Sequence, residues 1–190
     1  MIRFVVLGHL ARTSGDFSLN DMPGGAGRMD VLCRCVNSSL FLSHDLRRDV
    51  ECYLVLLGDP EPPKTVLFSG EKVRYLSPDE RSAGALIKKA LALKAGAEFR
   101  ESTPGVYVRK GGLADLLRDM PLAVLDEAGS DIREEHSLPG SYLLSDHHDF
   151  SPEERALIEE LPAYSVGPLS LHADHAITIV LNETDRRRSL

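Results

Sequence analysis

Three segments carry residue types that could do chemistry. The first, residues 16–50, reads DFSLNDMPGGAGRMDVLCRCVNSSLFLSHDLRRDV and runs a polar loop and a glycine-rich turn straight into a helical pattern. Glycines let backbone amides approach a ligand closely, although a simple helix-start turn uses the same residues. The segment lacks the GxxxxGK phosphate-loop pattern, and its glycines miss the spacing of a dinucleotide fingerprint, so ATP and NAD are disfavoured. On the helix, Asp30 and Arg34 stand four apart and Arg28 lies near the start, which makes them neighbours. They read either as a surface ion pair or as a polar group that orients a substrate.

The second segment, LLSDHHDF at residues 143–150, ends an apolar run in Asp146, His147, His148 and Asp149. Strand ends of this kind are where α/β sheets place ligands. Asp-His-His by itself resembles the signature of the DHH phosphoesterases, which gives an alternative reading as a metal-dependent phosphoesterase using Asp146, His147 and His148. A metal site needs convergent ligands from other segments, and the paired N-terminal aspartates of that family are not apparent. A polar loop that caps the next helix is the plainer reading. The third segment, SVGPLSLHADHAITIVLNETDRR at residues 165–187, passes from a strand through Gly167-Pro168 into a helix. His172 and His175 lack the glutamate pattern of a zinc-protease helix, whereas the small polar residues before the helix suit a polar small molecule.

The elements that must position these segments alternate. Residues 2–8 and 50–58 form short β-branched apolar runs ended by glycine, which predict buried strands. Between them Met29, Leu32, Val36 and Leu40 fall at helical intervals over residues 29–40. Residues 65–68 and 72–76 read as a β-hairpin around Ser69-Gly70. A helix then starts at Pro78, with Ser77 as cap and Glu80 completing a capping box, and the same device recurs at Ser151, Pro152 and Glu154. After a polar, flexible stretch at residues 96–104, strands are expected at 106–108, 122–125, 142–144 and 164–166. Helices are expected at 112–118, 152–161 and 172–183. This alternation means an α/β protein with a largely parallel sheet.

Composition sets the bounds. The 190 residues, 43% hydrophobic and 27% charged, suit one globular domain with no internal repeat. No apolar run approaches the roughly 20 residues of a membrane span, and the opening MIRFVVLGHLAR lacks a basic n-region, so a cytoplasmic location is expected. Three cysteines, two of them one residue apart in a helix, indicate neither a disulfide scaffold nor a zinc knuckle. A net charge of -7 argues against binding nucleic acid through bulk charge and leaves only a local basic patch for an RNA partner.

Together the three segments resemble the archaeal tRNA pseudouridine N1-methyltransferases, the TrmY family of the SPOUT class. The resemblance spans essentially the whole chain and is most specific in the PGGAGR turn, in LLSDHHDF and in GPLSLHADHAI. It implies a single domain over residues 1–190, an α/β knot with a C-terminal trefoil knot and a mostly parallel sheet. Physical rules alone would choose an ordinary open sheet, because true knots are rare exceptions. It further implies S-adenosyl-L-methionine as cofactor, a homodimer, and N1-methylation of pseudouridine at position 54 in the T-loop of tRNA, with no DNA or membrane partner.

By analogy with SPOUT knots, three loops would hold the cofactor. They contribute Leu125, then Leu144, Ser145 and Asp146, then Val166, Gly167, Pro168, Leu169, Ser170 and Leu171, with Ala176 closing the adenine pocket. For the base, Asp30 is expected as an orienting hydrogen-bond acceptor, because an aspartate with a pKa of about 4 is a weak base and Arg34 opposes any rise. Arg28 and Arg34 would bind phosphate or stabilise the developing anionic base, and Asp21 is a second candidate for the proton acceptor. Local RNA contacts would draw on Arg28, Arg34, Arg47, Arg48, Arg109, Lys110 and Arg186, Arg187 and Arg188.

Overall fold

A computed structural model describes residues 1–188. The expected first strand, helix and second strand form as β1 (Ile2–Gly8), α1 (Met29–Leu40) and β2 (Val50–Leu56). They are followed by β3 (Lys64–Ser69), α2 (Glu80–Leu91), β4 (Arg100–Thr103), β5 (Val106–Lys110) and α3 (Leu113–Asp119). The C-terminal part comprises β6 (Ala123–Asp131), β7 (Ser141–Ser145), α4 (Pro152–Ile158), β8 (Ala163–Ser165) and α5 (Ala173–Arg187).

The eight strands of the described residues join one sheet in the order β4-β5-β3-β2-β1-β7-β6-β8. Pairing is parallel from β2 through β1, β7 and β6 to β8, and antiparallel among β2, β3, β5 and β4. The mostly parallel α/β sheet expected from the alternation is therefore present, with an antiparallel flank. Its three layers follow from the period-2 pattern of β1. Phe4 and Val6 enter the core shared with α1, α2 and α5, while Val5 and Leu7 enter the core shared with α3 and α4. A central strand covered on both faces has to be apolar on both, which is why IRFVVLG shows no alternation.

Four local expectations need correction. Residues 72–76 do not pair as a hairpin arm; β3 pairs instead with β5, and Val73 is buried against Gly105. The cap of α2 is Asp79, whose side chain accepts from the Ser82 N–H at 2.7 Å, not Ser77. The stretch at 96–104 contains the edge strand β4. The strand expected at 122–125 continues to Asp131, but its ladder with β8 breaks between Leu125 and Ser130, so residues 126–129 bulge out of the sheet. Gly129 permits this, since a Cβ there would lie 2.6 Å from the backbone of Ala163 and Tyr164. By contrast, Ser151 and Glu154 form the expected capping box of α4, and Cys33, Cys35 and Cys52 are free and buried.

Candidate active site

The chain leaves β1 for β2 on one side, while β7 lies on the other, so the sheet has a switch point at β1 with the C-terminal ends of β1, β6 and β7 opening together. A cleft of about 440 Å³ lies there. One wall is the bulge after Leu125, with Asp126, Glu127 and Ala128. A second is the loop after β7, with Leu144, Ser145, Asp146, His148, Asp149 and Phe150. The third is the turn between β8 and α5, with Val166, Gly167, Leu169, Ser170 and Leu171, closed by Ala173 and Ala176 of α5. Every residue expected for the cofactor thus lines one cleft except Pro168, which is exposed on the turn beside it.

The cleft is lined by both apolar and acidic side chains. Leu125, Leu144, Leu169, Leu171 and Ala176 suit a flat heterocycle, and Asp126, Glu127, Asp146 and Asp149 suit a cationic group. S-adenosylmethionine joins an adenine to a sulfonium, so the donor set fits that molecule.

Beside the cleft, α1 presents a charged cluster. Arg28 adopts a left-handed conformation at the helix start, which brings its guanidinium back over the first turn. Its Nε and Nη2 donate to the two oxygens of Asp30 at 3.0 and 3.1 Å. Arg34 Nη1 donates to Asp30 Oδ2 at 3.1 Å and to Glu80 at 3.2 Å, and its Nε lies 4.0 Å from Asp174 in the first turn of α5. Asp174 stands between the cleft-lining Ala173 and Ala176, so this contact joins the cluster to the cleft. Asp30 itself is 4% exposed. Burial pushes its carboxyl up, but the bonds from Arg28 and Arg34 outweigh that and hold it below the ordinary carboxylate value. It is therefore an ionised clamp for two arginines and a poor proton acceptor.

Asp21 closes the glycine turn. Its oxygens accept from the backbone N–H groups of Gly24 and Gly25 at 3.2 and 2.9 Å, which closes the glycine turn on a carboxylate of the chain itself. Those amides are directed to Asp21, as in the plain helix-start turn that was one of the two readings of this loop. Gly27 sits at φ +66°, with a would-be Cβ 1.7 Å from the Leu10 carbonyl, so the turn packs against the segment after β1.

One residue went unnoticed in the sequence. His9, one position beyond β1, bonds Asp146 through Nδ1 and Glu154 through Nε2, both at 2.8 Å, and its backbone N–H donates to Asp146 Oδ2 at 2.9 Å. The bond to Asp146 raises the imidazole most, burial opposes it and Glu154 adds to it, taking the pKa to about 9. Burial pushes Asp146 up, whereas His9 and the His148 N–H hold it below its ordinary value. Asp146 is thus committed to the loop, and among the described residues no three His, Cys, Asp or Glu side chains group as a metal site. The phosphoesterase alternative has no support in this arrangement.

Several other arginines considered for RNA are tied to the protein. Arg47 forks onto Asp185 at 2.9 and 2.6 Å, Arg109 bonds Asp119 at 2.6 Å beneath Phe99, and Arg188 meets Asp49 at 2.6 Å. Arg187 donates to the Ile132 carbonyl at 2.8 Å, and Arg48 pairs with Asp45 at 3.2 Å.

The fold, with its cleft at the strand ends, is one shared with a solved structure. It is similar over 99% of both chains, with a TM-score of 0.69 at 19% identity, to the crystal structure of Archaeoglobus fulgidus Nep1 bound to S-adenosylhomocysteine. More particularly, the chain belongs to the family described as putative SAM-dependent RNA methyltransferases, whose sequence model matches residues 1–189. It is 61% identical to the tRNA (pseudouridine(54)-N(1))-methyltransferase of Methanocorpusculum labreanum, covering 98% of each chain. It is 53% identical to the protein of the same name from Methanospirillum hungatei, covering 100% of this chain and 98% of that one.

Proposed function

We propose that this chain methylates N1 of pseudouridine at position 54 in the T-loop of archaeal tRNA, using S-adenosyl-L-methionine held in the cleft. The observation that carries the reading is the Arg34–Asp174 contact, which sets an arginine pair fixed by a buried carboxylate at the edge of a cleft shaped for that cofactor. The close, full-length relatives supply the particular substrate. Bound there, the cofactor supplies an electrophilic methyl group.

The chain's residues position the base and stabilise charge. Arg28 and Arg34 are about one-third exposed and face solvent with part of their donors free of Asp30. They stabilise the negative charge that develops on the pseudouridine ring as its N1 proton passes to solvent water, N1 takes the methyl group and S-adenosylhomocysteine is the leaving group. Asp30 keeps both guanidinium planes in place, and Asp21 holds the turn from which Arg28 projects. Leu125, Leu144, Leu169, Leu171 and Ala176 wall the adenine, while Ser145, Val166, Gly167, Pro168 and Ser170 shape the loops and Asp146 fixes one of them. The T-loop nucleotide has to leave its stack for N1 to reach the methyl group.

The reading includes a C-terminal trefoil knot. Insertion of β7 between β1 and β6, with return of the chain to the outer strand β8, supports that topology. It also includes a homodimer, supported by the exposed apolar side chains of Leu157 and Ile179 on the C-terminal half. A cytoplasmic enzyme is in keeping with a chain in which no described helix is long and apolar enough to cross a membrane.

The test uses methyl-labelled S-adenosylmethionine and two T-loop RNAs that differ only in having uridine or pseudouridine at the target position. Label is expected in the pseudouridine RNA alone. Equal transfer to both, or transfer to neither, refutes the proposed substrate.

A further inference from the structure

We propose that His9 is a positioning residue of the cofactor cleft, a doubly bonded imidazole that ties the end of β1 to the loop at residues 146–150 and to the start of α4. The inference deepens the methyltransferase reading and rests on it.

The geometry is that of a clamp. Asp146 and Phe150 both line the cleft, and the loop between them has its own hydrogen bonds from His148 N–H to Asp146 Oδ1 at 3.0 Å and from the Ser145 hydroxyl to the His148 carbonyl. These are bonds within the loop. Apart from Asp146's backbone N–H on the Leu7 carbonyl at 3.0 Å, the bonds that fasten the Asp146 side chain to the rest of the molecule come from His9. On its other face His9 meets Glu154, whose same oxygen, Oε2, accepts from the Ser151 N–H at 2.8 Å and so completes the α4 capping box. One imidazole therefore holds both ends of the cleft wall, Asp146 before it and α4 after it. His9 reaches two carboxylates only as a cation, since a neutral ring has one N–H.

The groups around it set the direction of the pH response. Asp146 from the end of β7 and Glu154 from α4 favour the cation. His148 packs edge-on at 5.9 Å, and His147 Nδ1 lies 3.3 Å from Asp146 Oδ2. Arg28 from the start of α1 senses the charge of Asp146 from the far side. The folded value of about 9 lies above the ordinary 6.5, so His9 is a cation and the clamp is made at neutral pH and is lost as pH rises through about 9, while the stability it lends the fold is full only below 6.5. The cofactor cleft is closed to its full order at neutral pH and loosens in alkali.

The experiment measures binding of S-adenosylhomocysteine by calorimetry between pH 7 and 10, on the full chain and on His9→Gln, whose amide keeps a single N–H donor side. At pH 7.5 the variant is expected to bind about tenfold more weakly, the scale carried by hydrogen bonds that support a binding group from behind. Wild-type affinity falls by a similar factor from pH 7.5 to 10 beyond any change in His9→Gln, which removes the titration of the ligand from the comparison. With pseudouridine RNA, the variant's loss appears in KM for S-adenosylmethionine and not in kcat. A folded variant with wild-type affinity and the same pH profile overturns the proposal. If His9→Gln does not fold, Glu154→Gln takes its place: the His9 titration followed by NMR, and the binding profile with it, move toward pH 6.5, and a profile that stays in place overturns the clamp. Wild-type protein that binds no S-adenosylhomocysteine refutes the methyltransferase reading itself.

Discussion

Replacing Asp30 by alanine removes one carboxylate that accepts three charge-assisted hydrogen bonds, two from Arg28 at 3.0 and 3.1 Å and one from Arg34 at 3.1 Å. Bonds of this type contribute about 1.5–3 kcal/mol each and do not add. Three features reduce the loss. The arginine side chains are 37% and 32% exposed, so water replaces part of what Asp30 supplied, and Arg34 keeps Glu80 at 3.2 Å. The variant is also relieved of a desolvated carboxylate. A net destabilisation of about 2 kcal/mol remains, equivalent to a Tm lower by about 4–8 °C for a chain of this size. Catalysis suffers more than folding, because loss of a positioned electrostatic donor typically costs about 100-fold or more in kcat. Thermal unfolding, calorimetry with S-adenosylhomocysteine and label transfer to pseudouridine RNA measure the three effects. Cofactor affinity is expected within about twofold of wild type, since Asp30 does not line the cleft. Undiminished kcat, or cofactor affinity that falls in parallel with kcat, refutes the division between an arginine cluster for the base and a cleft for the cofactor.

Gly27→Ala places a Cβ 1.7 Å from the Leu10 carbonyl at φ +66°, so it destabilises by about 3 kcal/mol, read as a lower urea midpoint; an unchanged midpoint contradicts the packing of the glycine turn. Gly167→Val meets the opposite situation, with nothing within 4 Å of the new Cβ, so stability stays within about 0.5 kcal/mol of wild type. Its side chain obstructs the cleft that Gly167 lines, and S-adenosylhomocysteine is expected to bind about tenfold more weakly. Wild-type affinity in a folded Gly167→Val protein removes that turn from the binding site.

What the sequence made legible was local. The apolar spacing of Met29, Leu32, Val36 and Leu40 defines α1 to its observed ends, because a helix is closed by bonds four residues away and its buried stripe repeats over the same range. The capping box at Ser151 is equally self-contained. Residues 72–76 mislead for the converse reason. Val73 is apolar and turn residues precede it, yet the edge of β3 is taken by β5, which lies about forty positions further along the chain. The strand β4 is polar, REST, since a strand at the rim buries little, and so it carries no hydrophobic signal. At β6 the expected end at Leu125 marks a real event, the break in the ladder, but a run of Asp, Glu, Ala and Gly does not say whether the chain leaves the sheet or bulges and returns.

Charge is where local reading is weakest, because a charged side chain's role depends on what lies opposite it. Asp30 and Arg34 are four apart and meet as helical spacing requires, but Arg28 joins them only through its left-handed backbone, and Glu80 and Asp174 arrive from α2 and α5. Asp30 clamps two arginines for that reason, its proton affinity set by those partners. His9 is the extreme case, with partners 137 and 145 residues away. The same logic ties Arg47, Arg109 and Arg188 to carboxylates elsewhere in the fold, within a chain whose net charge is -7. Long-range attraction of tRNA by such a chain is weak. On the proposed function, selection of the target depends on the shape of the T-loop and on the fixed donors of Arg28 and Arg34, which act at contact distance, where a guanidinium held by a buried carboxylate is already oriented before the base arrives.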